Sequence, residues 1–413
     1  MPYIIWELLP EWSREKYTPD KEEIKEMIRL RKKRSILFIS AAVFAAAVIA
    51  AVPVTAAETA SGKNAPEFPG LVFESQMELE YAQCFDVFYY EGGYEFLDIH
   101  ENGQYLLIPE DGQAPEGLDE DIIVLQKPLD HIYLVASAVM SLFDSMDALD
   151  HIRFSGTDVS GWYIENAAKA METGEIVFAG KYSEPDYELL IGEECDLAIE
   201  STMVLHSPKV REMLEELGIP VFVDYSSYES HPLGRTEWIK LYGCLVDKEK
   251  EAKDFFDGQA EVVEKLKDFP NTEKTVAFFY VNTNGTVVVR EATDYIPRMI
   301  EIAGGRYIFD DLKNEENNLS SVSLTMEEFY NQAIDADYLI YNATIDSPVE
   351  TIDELLAKSE LLADFKAVKE GNVWCTDKYM YQATDIIGNM ITDIHLMLTE
   401  GDGSQMTFMK KIS

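Results

Sequence analysis

Short apolar segments alternate with helical patterns along most of the chain after residue 70. Runs rich in β-branched and aromatic residues occur at 105–109, 121–128, 131–137, 175–180, 195–201 and 220–225. Helical patterns lie between them, such as the one from Ser207 to Leu217, which has a proline near its start and Gly218 just past its end. This alternation predicts an α/β lobe with a mainly parallel sheet over residues 121–232.

The alternation of strand and helix patterns stops between residues 233 and 269, where the chain shows no strand pattern. Apolar residues recur there at helical spacing, from Trp238 to Leu266. About 35 residues with a rise of 1.5 Å each predict one helix of about 50 Å, ended by Pro270. Strands and helices alternate again over residues 270–413. We therefore predict two Rossmann-like α/β lobes joined by one long bridging helix at 233–269.

Residues 36–57 form an uncharged apolar segment that is long enough to cross a bilayer core as a helix. The basic cluster at 29–34 directly precedes it, so the positive-inside rule predicts that residues 1–35 stay cytoplasmic or act as the n-region of a signal peptide, and that the rest is exported. Two interpretations remain open: a signal peptide cut after Ala56 or Ala57, or an uncleaved membrane anchor. No cysteine near the end of the run could receive a lipid.

The start of the chain is also open, because a conventional signal peptide would begin at Met27 rather than at Met1. Residues 58–70 are rich in small and polar side chains and are predicted to form a linker. Residues 71–120 are predicted to be an N-terminal extension, rich in β-structure, that precedes the first lobe.

Charge and cysteine content narrow the class of protein. Residues 58–413 carry 25 basic and 69 acidic side chains, a net charge of −44. Such a surface repels phosphate backbones, so a nucleic-acid partner is excluded. Cys84, Cys195, Cys244 and Cys375 show no CxxC or CxxH spacing, which argues against a zinc ribbon, an iron–sulfur site or a disulfide scaffold. Their disulfide state stays open.

Several short motifs follow one another in a characteristic order. The stretch 178–190, which contains Glu188, is followed by Cys-Asp-Leu-Ala-Ile at 195–199. Thr-Met-Glu-Glu-Phe at 325–329 precedes Asp-Ala-Asp-Tyr-Leu-Ile at 335–340, and the second half also contains Gly304-Gly305 and Gly-Asn-Val-Trp at 371–374. Together, over residues of about 120–400, these motifs resemble the helical-backbone (class III) substrate-binding proteins of ABC importers for iron–siderophore complexes, haem and cobalamin.

The resemblance implies a two-lobed receptor that closes on a ligand and catalyses no reaction. It would be a monomer outside the cytoplasm, at the cell surface or in the periplasm, secreted or held to the membrane by its N-terminal segment. It would carry no cofactor and would deliver an iron complex, a siderophore or haem, to an ABC permease with its ATPase. A corrinoid or a bare metal ion are alternative ligands, and a sensor or binding module without transport is an alternative role.

The resemblance also assigns one permease-docking glutamate to each lobe. Glu188 matches the motif in the first lobe, and either Glu327 or Glu328 matches it in the second, where the spacing does not choose between them. Two carboxylates far apart on a rigid body can steer it and fix its register on basic pockets. The alternative is that these are ordinary first-turn acids stabilised by the helix dipole.

Ligand contacts are expected on the loops that follow the sheet strands, because open α/β folds form their crevices there. The candidates share this placement and polar, aromatic or thioether chemistry; they are Lys181, Tyr182, Met203, His206, Tyr228, His231, Arg235, Asn282, Asn342 and Tyr381.

Polar, charged and aromatic side chains are most closely spaced in residues 226–238, at the start of the predicted bridging helix. One interpretation is that Tyr228, His231 or Arg235 contacts the ligand. The other is that Arg235 forms an ion pair with Glu229 or Glu237 that fixes the hinge.

A bare metal site and an enzymatic site are both disfavoured. Of six histidines, only His206 and His231 fall on cleft loops, where Glu200 or Glu229 could join them around a metal. The chain has no GxSxG, GxGxxG or Walker A motif that would indicate a hydrolase or a nucleotide-binding enzyme. We predict no catalytic residue and no metal ligand.

Overall fold

The computed structural model describes residues 65–313, 320–399 and 405–413. Within them the chain forms three substantial sheets: one near the N-terminus and one in each of two α/β lobes. The alternation of strands and helices read from the sequence is therefore confirmed in both lobes. The segments predicted at 1–35 and 36–57, and residues 58–64 of the linker predicted at 58–70, lie outside the described residues. No helix in the described part has the length and apolar character needed to span a bilayer.

The N-terminal sheet has five strands in the order β1-β2-β3-β4-β5. The strands are β1 (Phe73–Gln76), β2 (Phe85–Tyr90), β3 (Tyr94–Ile99), β4 (Gly103–Ile108) and β5 (Ile122–Gln126). The first three pairings are antiparallel, and β5 lies parallel to β4. The β-rich extension thus continues to Gln126, so the predicted boundary at 120 is wrong, and the apolar run at 121–128 does not belong to the first lobe.

Both faces of this sheet are covered. Along β2, Phe85 and Val87 point into the main core, whereas Phe88 and Tyr90 join a separate small core on the other side. Residues 65–73 cover that second core, where the Tyr90 hydroxyl donates to the Pro66 carbonyl at 2.6 Å. The alternation with period two therefore has a physical cause, since each side of the sheet has its own apolar partner.

The first lobe is built on a parallel sheet in the order β12-β11-β6-β7-β8. Its strands are β6 (Ile132–Leu134), β7 (Ile152–Ser155), β8 (Val177–Phe178), β11 (Leu197–Ser201) and β12 (Val221–Asp224), and β9 (Gly180–Lys181) and β10 (Glu184–Pro185) form a small hairpin. Its helices are α1 (Met140–Ser145), α2 (Glu165–Thr173), α3 (Tyr187–Gly192) and α4 (Pro208–Glu216). The N-terminal sheet packs beside its β12 edge, where the Tyr105 hydroxyl donates to the Val221 carbonyl at 3.0 Å.

The chain leaves the first lobe through two helices, α5 (Pro232–Leu245) and α6 (Glu249–Glu264). The second lobe then contains β13 (Thr275–Val281), β14 (Val287–Arg290), β15 (Arg306–Tyr307), β16 (Ser321–Leu324), β17 (Tyr338–Tyr341), β18 (Val373–Thr376) and β19 (Met409–Lys411). Its helices are α7 (Tyr295–Ile302), α8 (Met326–Ala333), α9 (Ile352–Lys358), α10 (Lys366–Glu370) and α11 (Ile387–Thr399). The central strands β13, β17 and β18 are parallel, and β14, β16 and β19 are antiparallel to their neighbours.

The prediction of one long bridging helix is wrong, because the chain turns back after Leu245. Asp247 takes a left-handed backbone conformation, with φ of 54°, which ends α5. Gly243 lets the second helix approach closely: a Cβ there would lie 2.9 Å from the Cβ of Ala252. The Asp247 carboxylate also accepts a hydrogen bond from Lys127 at 2.7 Å, which fixes the turn to the end of the N-terminal sheet. Because apolar residues recur at helical spacing both in α5, which is buried on nearly all sides, and in α6, helical periodicity alone did not reveal the break.

Two buried carboxylates of the α5 region hold the loop between β1 and β2. Glu237 is fully buried, and its carboxylate accepts the backbone N–H groups of residues 80, 81 and 82 at 2.7–3.1 Å, besides an ion pair with Lys240 at 2.7 Å. Glu229 accepts the backbone N–H groups of residues 83 and 84 and the indole N–H of Trp238. We call this arrangement the carboxylate clamp. It joins the N-terminal sheet to the helices that connect the lobes.

Replacing Glu237 by Gln tests the carboxylate clamp. The variant keeps the shape of the side chain but removes the charge that faces three N–H groups and buried Lys240, so we expect the free energy of unfolding to fall by about 3 kcal/mol. Urea denaturation followed by circular dichroism measures this loss. The control Glu251→Gln, on the exposed face of α6, should change stability by less than about 0.5 kcal/mol. Equal stability of the two variants would contradict the role of the clamp.

Candidate ligand-binding cleft

The two lobes face each other across a cleft at the carboxyl ends of their parallel strands. The loops that follow β7 in the first lobe and β18 in the second meet there. A cavity of about 340 Å³ lies between them; its lining comes from both lobes and consists of Ser141, Asp144, Tyr163, Ile164, Glu165, Asn166, Tyr379, Gln382, Ala383, Asp385 and Ile386. Its size is within the range of small-molecule sites, and its position is the one expected for an open α/β fold.

Gln382 links the two lobes at the edge of this cavity. Its amide nitrogen donates to the Gly161 carbonyl at 2.8 Å, and its amide oxygen accepts the backbone N–H of Tyr163 at 2.9 Å. The side chain is buried and makes a further contact with the Tyr381 hydroxyl at 3.0 Å. The two lobes are therefore joined here by a pair of hydrogen bonds to the backbone.

Further contacts close the floor of the cleft. Asp385 of the second lobe accepts a hydrogen bond from the Ser145 hydroxyl of the first lobe at 2.9 Å. Burial raises the pKa of the Asp385 carboxyl, although hydrogen bonds from Ser145 and Ser141 oppose this shift. Close by, the Thr236 hydroxyl of α5 donates to the Thr384 carbonyl at 2.8 Å.

A second cavity of about 290 Å³ adjoins the first on the other side of Tyr163. The loops after β17 and β18 supply the rest of its lining: Ala343, Thr344, Ile345, Asp346, Ser347, Lys378 and Tyr381. Tyr163 thus belongs to both cavities. Its exposed ring stands 6.3 Å from the ring of Tyr379, which lines the first cavity from the opposite lobe.

Exposed apolar side chains concentrate around this cleft. Of eleven large apolar residues that are exposed in the described part of the chain, six stand on loops after parallel strands: Tyr163, Met203, Leu205, Tyr228, Ile345 and Tyr381. Ile345 is the most exposed of them, at 66%. Exposed apolar side chains gathered at one edge are typical of binding surfaces.

The structure brings only part of the predicted ligand set to these cavities. Tyr381 lines the second cavity. Asn342 lies just before its lining loop, but its side chain is buried and accepts the N–H and hydroxyl of Thr344, so it shapes the loop. Met203, His206 and Tyr228 stand on short turns after β11 and β12, outside both linings.

The remaining candidates make local contacts. Asn282 organises the turn between β13 and β14, where its side-chain oxygen accepts the N–H groups of residues 284 and 286. Lys181 and Tyr182 lie at the hairpin of β9 and β10. His231 caps α5, with its Nδ1 accepting the Leu233 N–H at 3.2 Å, and its ring stacks on Tyr81. Burial lowers the pKa of His231 to about 4, so the ring is neutral at physiological pH.

The contacts of Arg235 test the ion-pair interpretation of the 226–238 stretch. The ion pair predicted with Glu229 or Glu237 is absent, because the carboxylate clamp occupies both carboxylates. The guanidinium instead lies over the Tyr295 ring of α7, 4.0 Å from its centre, and its Nε is buried without a hydrogen-bond partner. Arg235 therefore packs α5 against the second lobe.

Sequence reasoning missed the loop after β7, which supplies Tyr163. The signal was present: Ile152–Ser155 is a short apolar run followed by the turn sequence Gly156-Thr157-Asp158. A four-residue strand was too short to stand out from the helical patterns around it.

A metal site does not assemble at the suggested residues. Glu229 is committed to backbone N–H groups, and among the residues that the structure describes no three His, Cys, Asp or Glu side chains are arranged to hold a metal ion. Cys84, Cys195, Cys244 and Cys375 form no disulfide among the described residues.

The family model for periplasmic binding proteins matches residues 150–380, from the 3₁₀ turn before β7 to the loop after β18. This match covers more than half of the chain and includes the larger part of both lobes. The chain belongs to the periplasmic binding protein family. Proteins of this family are non-enzymatic binding components of transport systems, which confirms the prediction that the chain is not an enzyme.

Relatives of this periplasmic binding protein agree with that assignment. It is 26% identical to an uncharacterized lipoprotein of Methanocaldococcus jannaschii, over 77% of this chain and 81% of the relative. Its fold is similar to that of the periplasmic heme binding protein HutB of Vibrio cholerae (TM-score 0.52, 18% identity, 65% of this chain and 98% of that one). It is also similar to the petrobactin-binding protein YclQ of Bacillus subtilis (TM-score 0.53, 14% identity, 67% and 94%). The predicted fold family is confirmed.

The two lobes of this periplasmic binding protein carry exposed acids at equivalent helix positions. Asp186 caps α3 and Thr325 caps α8, so Glu188 and Glu327 both occupy the second helical position. Glu328 is one residue further and is engaged: its carboxylate accepts the N–H and hydroxyl of Thr325 at 2.8 and 2.7 Å in a capping box. The geometry thus separates the two glutamates that motif spacing could not.

One buried acid of the first lobe has no partner for its charge. Glu200 lies in β11 with no exposed surface, and neither carboxylate oxygen has a hydrogen-bond partner within the described structure. Burial raises the pKa of Glu200 to about 8. The raised pKa means that the native state holds a proton that the unfolded state releases above its ordinary value of 4.5, so native stability falls as pH rises from about 4.5 through about 8.

Glu200→Gln should remove this loss. The variant should match the parent protein in stability near pH 4.5 and exceed it by a few kcal/mol at pH 8, since one pKa unit corresponds to about 1.4 kcal/mol. Thermal unfolding measured from pH 4.5 to pH 8.5 gives both values. A difference that stays constant across this range would show that ionisation of Glu200 is not its cause.

Proposed function

We propose that this periplasmic binding protein is the extracytoplasmic substrate-binding component of an ABC importer, and that it captures an iron complex, a siderophore or haem, and delivers it to the permease. The observation that carries the proposal is the concentration of exposed tyrosine, methionine and aliphatic side chains at the cleft edges of both lobes. A large complex with an apolar organic shell needs such a surface, whereas a bare ion does not.

The structural neighbours support this ligand class. Two of them are a heme-binding and a petrobactin-binding protein, and their folds cover 65% and 67% of this chain. The separation of the cleft into two cavities around Tyr163 fits a ligand that extends over that ring. The named lipoproteins among the relatives support a place outside the cytoplasm, and we propose that the apolar segment at 36–57 provides export or anchoring here.

Ligand capture in this proposal is a small closure of one lobe on the other. The α5–α6 hairpin carries the chain between the lobes, and two packed helices bend less readily than an extended strand. Gln382 would act as a latch, because its two hydrogen bonds to residues 161 and 163 form only when the lobes are together. No chemical step on this chain is required.

A binding screen tests the proposal, with Tyr163→Ala as the diagnostic variant. Fluorescence titration of the protein with ferric siderophores and haem should show at least one that binds. Tyr163→Ala should weaken that binding by about tenfold or more, because the ring faces both cavities. Phe269→Ala removes an exposed aromatic ring outside both linings and should leave affinity unchanged. Failure of every iron complex to bind would refute the proposed ligand class.

We further propose that Glu188 and Glu327, rather than Glu328, dock onto basic residues of the permease. Both are exposed at matching positions of the two lobes, while the Glu328 carboxylate is hydrogen-bonded to Thr325 in the capping box of α8. A pair of acids on separate lobes fixes both the position and the orientation of the receptor.

The double variant Glu188→Lys/Glu327→Lys should abolish ligand uptake by cells that express the permease, while the dissociation constant of the ligand stays within about twofold. Charge reversal turns each attraction into repulsion without touching the cleft. Glu328→Lys is the matched control: it should lower the melting temperature through loss of the capping box and leave uptake by the remaining folded protein near normal. Normal uptake by the double variant would exclude these docking sites.

A further inference from the structure

The larger cavity carries an unusual charge for a site assigned to iron complexes. Three of its lining residues are acidic: Asp144 and Glu165 of the first lobe and Asp385 of the second. None of the residues that line it is Lys, Arg or His. Its other polar groups are neutral amides and hydroxyls. Ferric catecholate complexes and haem carry negative charge, which such a lining repels.

The acids come from separate elements, and Asp385 joins the two acids of the first lobe only when the lobes are together. Asp144 is in α1, where it accepts a hydrogen bond from Asn166 at 2.9 Å, and Asp385 crosses from the second lobe to Ser145. Closure therefore concentrates like charge in a space from which water is partly excluded. A positive ligand would neutralise that charge, so its binding and the closure of the lobes would favour each other.

Two tyrosine rings add a second, independent preference for a cation. Tyr163 and Tyr379 line the cavity from opposite lobes, with their ring centres 6.3 Å apart. The face of an aromatic ring attracts ammonium and similar groups. An organic cation with an apolar body would find carboxylates for its charge and rings for its surface in the same cavity.

Two features with positive charge lie nearby but do not balance the three acids. The N-terminus of α2 supplies about half an elementary charge, and Glu165 already stands in its first turn. Lys378 lines only the adjoining cavity, on the other side of Tyr163. At longer range, the net charge of −44 on residues 58–413 attracts cations and repels anions before they reach the cleft.

We propose that the ligand of this cleft carries an organic cationic group, such as an ammonium, held by Asp144, Glu165 and Asp385 against the rings of Tyr163 and Tyr379. This inference rests on the proposed receptor function and narrows its ligand class. The cation belongs either to a positively charged iron complex or to an iron-free organic cation, and the test distinguishes these sources.

Four probes, titrated into the full-length protein at low ionic strength, separate charge from iron. Ferrioxamine B is a ferric trihydroxamate with a free ammonium, and its N-acetyl derivative has the same iron centre without that charge. Ferric enterobactin is an anionic iron complex, and spermidine is a polycation without iron. We expect ferrioxamine B to bind about tenfold or more tightly than its N-acetyl derivative, and ferric enterobactin not to bind.

Isosteric variants assign the preference to the cavity. Asp144→Asn and Glu165→Gln should each weaken binding of ferrioxamine B by about fivefold and leave the N-acetyl derivative unaffected. Glu165 is exposed, so its variant keeps the test valid even if Asp144→Asn folds poorly. The matched control Glu212→Gln removes one negative charge from α4, outside the cavity, and should change neither affinity.

Each outcome has a distinct consequence. Equal binding of the two ferrioxamines, or a preference for ferric enterobactin, would overturn the inference and leave the iron-receptor function intact. Binding of spermidine alone would support the inference and contradict the iron complex as ligand. If none of the four probes binds, the cation inference fails, and the titration with haem and other ferric siderophores decides the receptor function separately.

Discussion

The burial of Glu237 and Glu229 constrains the rest of this structure. A buried carboxylate is costly unless its charge meets donors, and here the donors are five successive backbone N–H groups of residues 80–84, together with Lys240 and Trp238. The loop can supply them only when the N-terminal sheet is docked. The sheet is therefore an integral part of the receptor, because without it two buried acids of the connecting region would lose most of their partners.

The same constraint explains why the connection between the lobes is a hairpin of two helices. The N-terminal sheet occupies one side of α5, where Phe85 packs edge-on against Trp238, and α6 returns along another, with Lys240 over the Phe256 ring at 4.3 Å. Lys127, at the end of that sheet, holds the turn through Asp247. The extension and the hairpin thus stabilise each other. At the start of α5, Thr236 and Arg235 contact the second lobe, so the same helix joins the N-terminal sheet to both lobes.

Patterns in the sequence predicted the class of fold because local chemistry determined it. The apolar runs that became β13, β17 and β18 contain β-branched and aromatic residues uninterrupted by a charge and are bounded by turns, so composition identified them. The break after Leu245 was not predictable from periodicity, since it depends on Asp247 meeting Lys127, 120 residues away. The loops expected to form the cleft were predicted, but most of the residues that line it were not. Tyr381 was expected there, whereas the lining by Tyr163, Asp144, Glu165 and Asp385 depends on how the loops of the two lobes are juxtaposed. The structure alone shows that Glu328, and not Glu327, is held in the capping box of α8.

The acidity of the chain affects the cleft as well as the outer surface. A net charge of −44 alone indicates a soluble surface that avoids nucleic acids. The first cavity, however, is lined by carboxylates of both lobes and by no basic residue, and burial raises the pKa of Asp385. Such a group gains from a cationic partner at the moment of closure. In this proposal, the surface charge increases the rate at which a cationic ligand encounters the protein. The cavity charge then stabilises the closed state with the ligand bound.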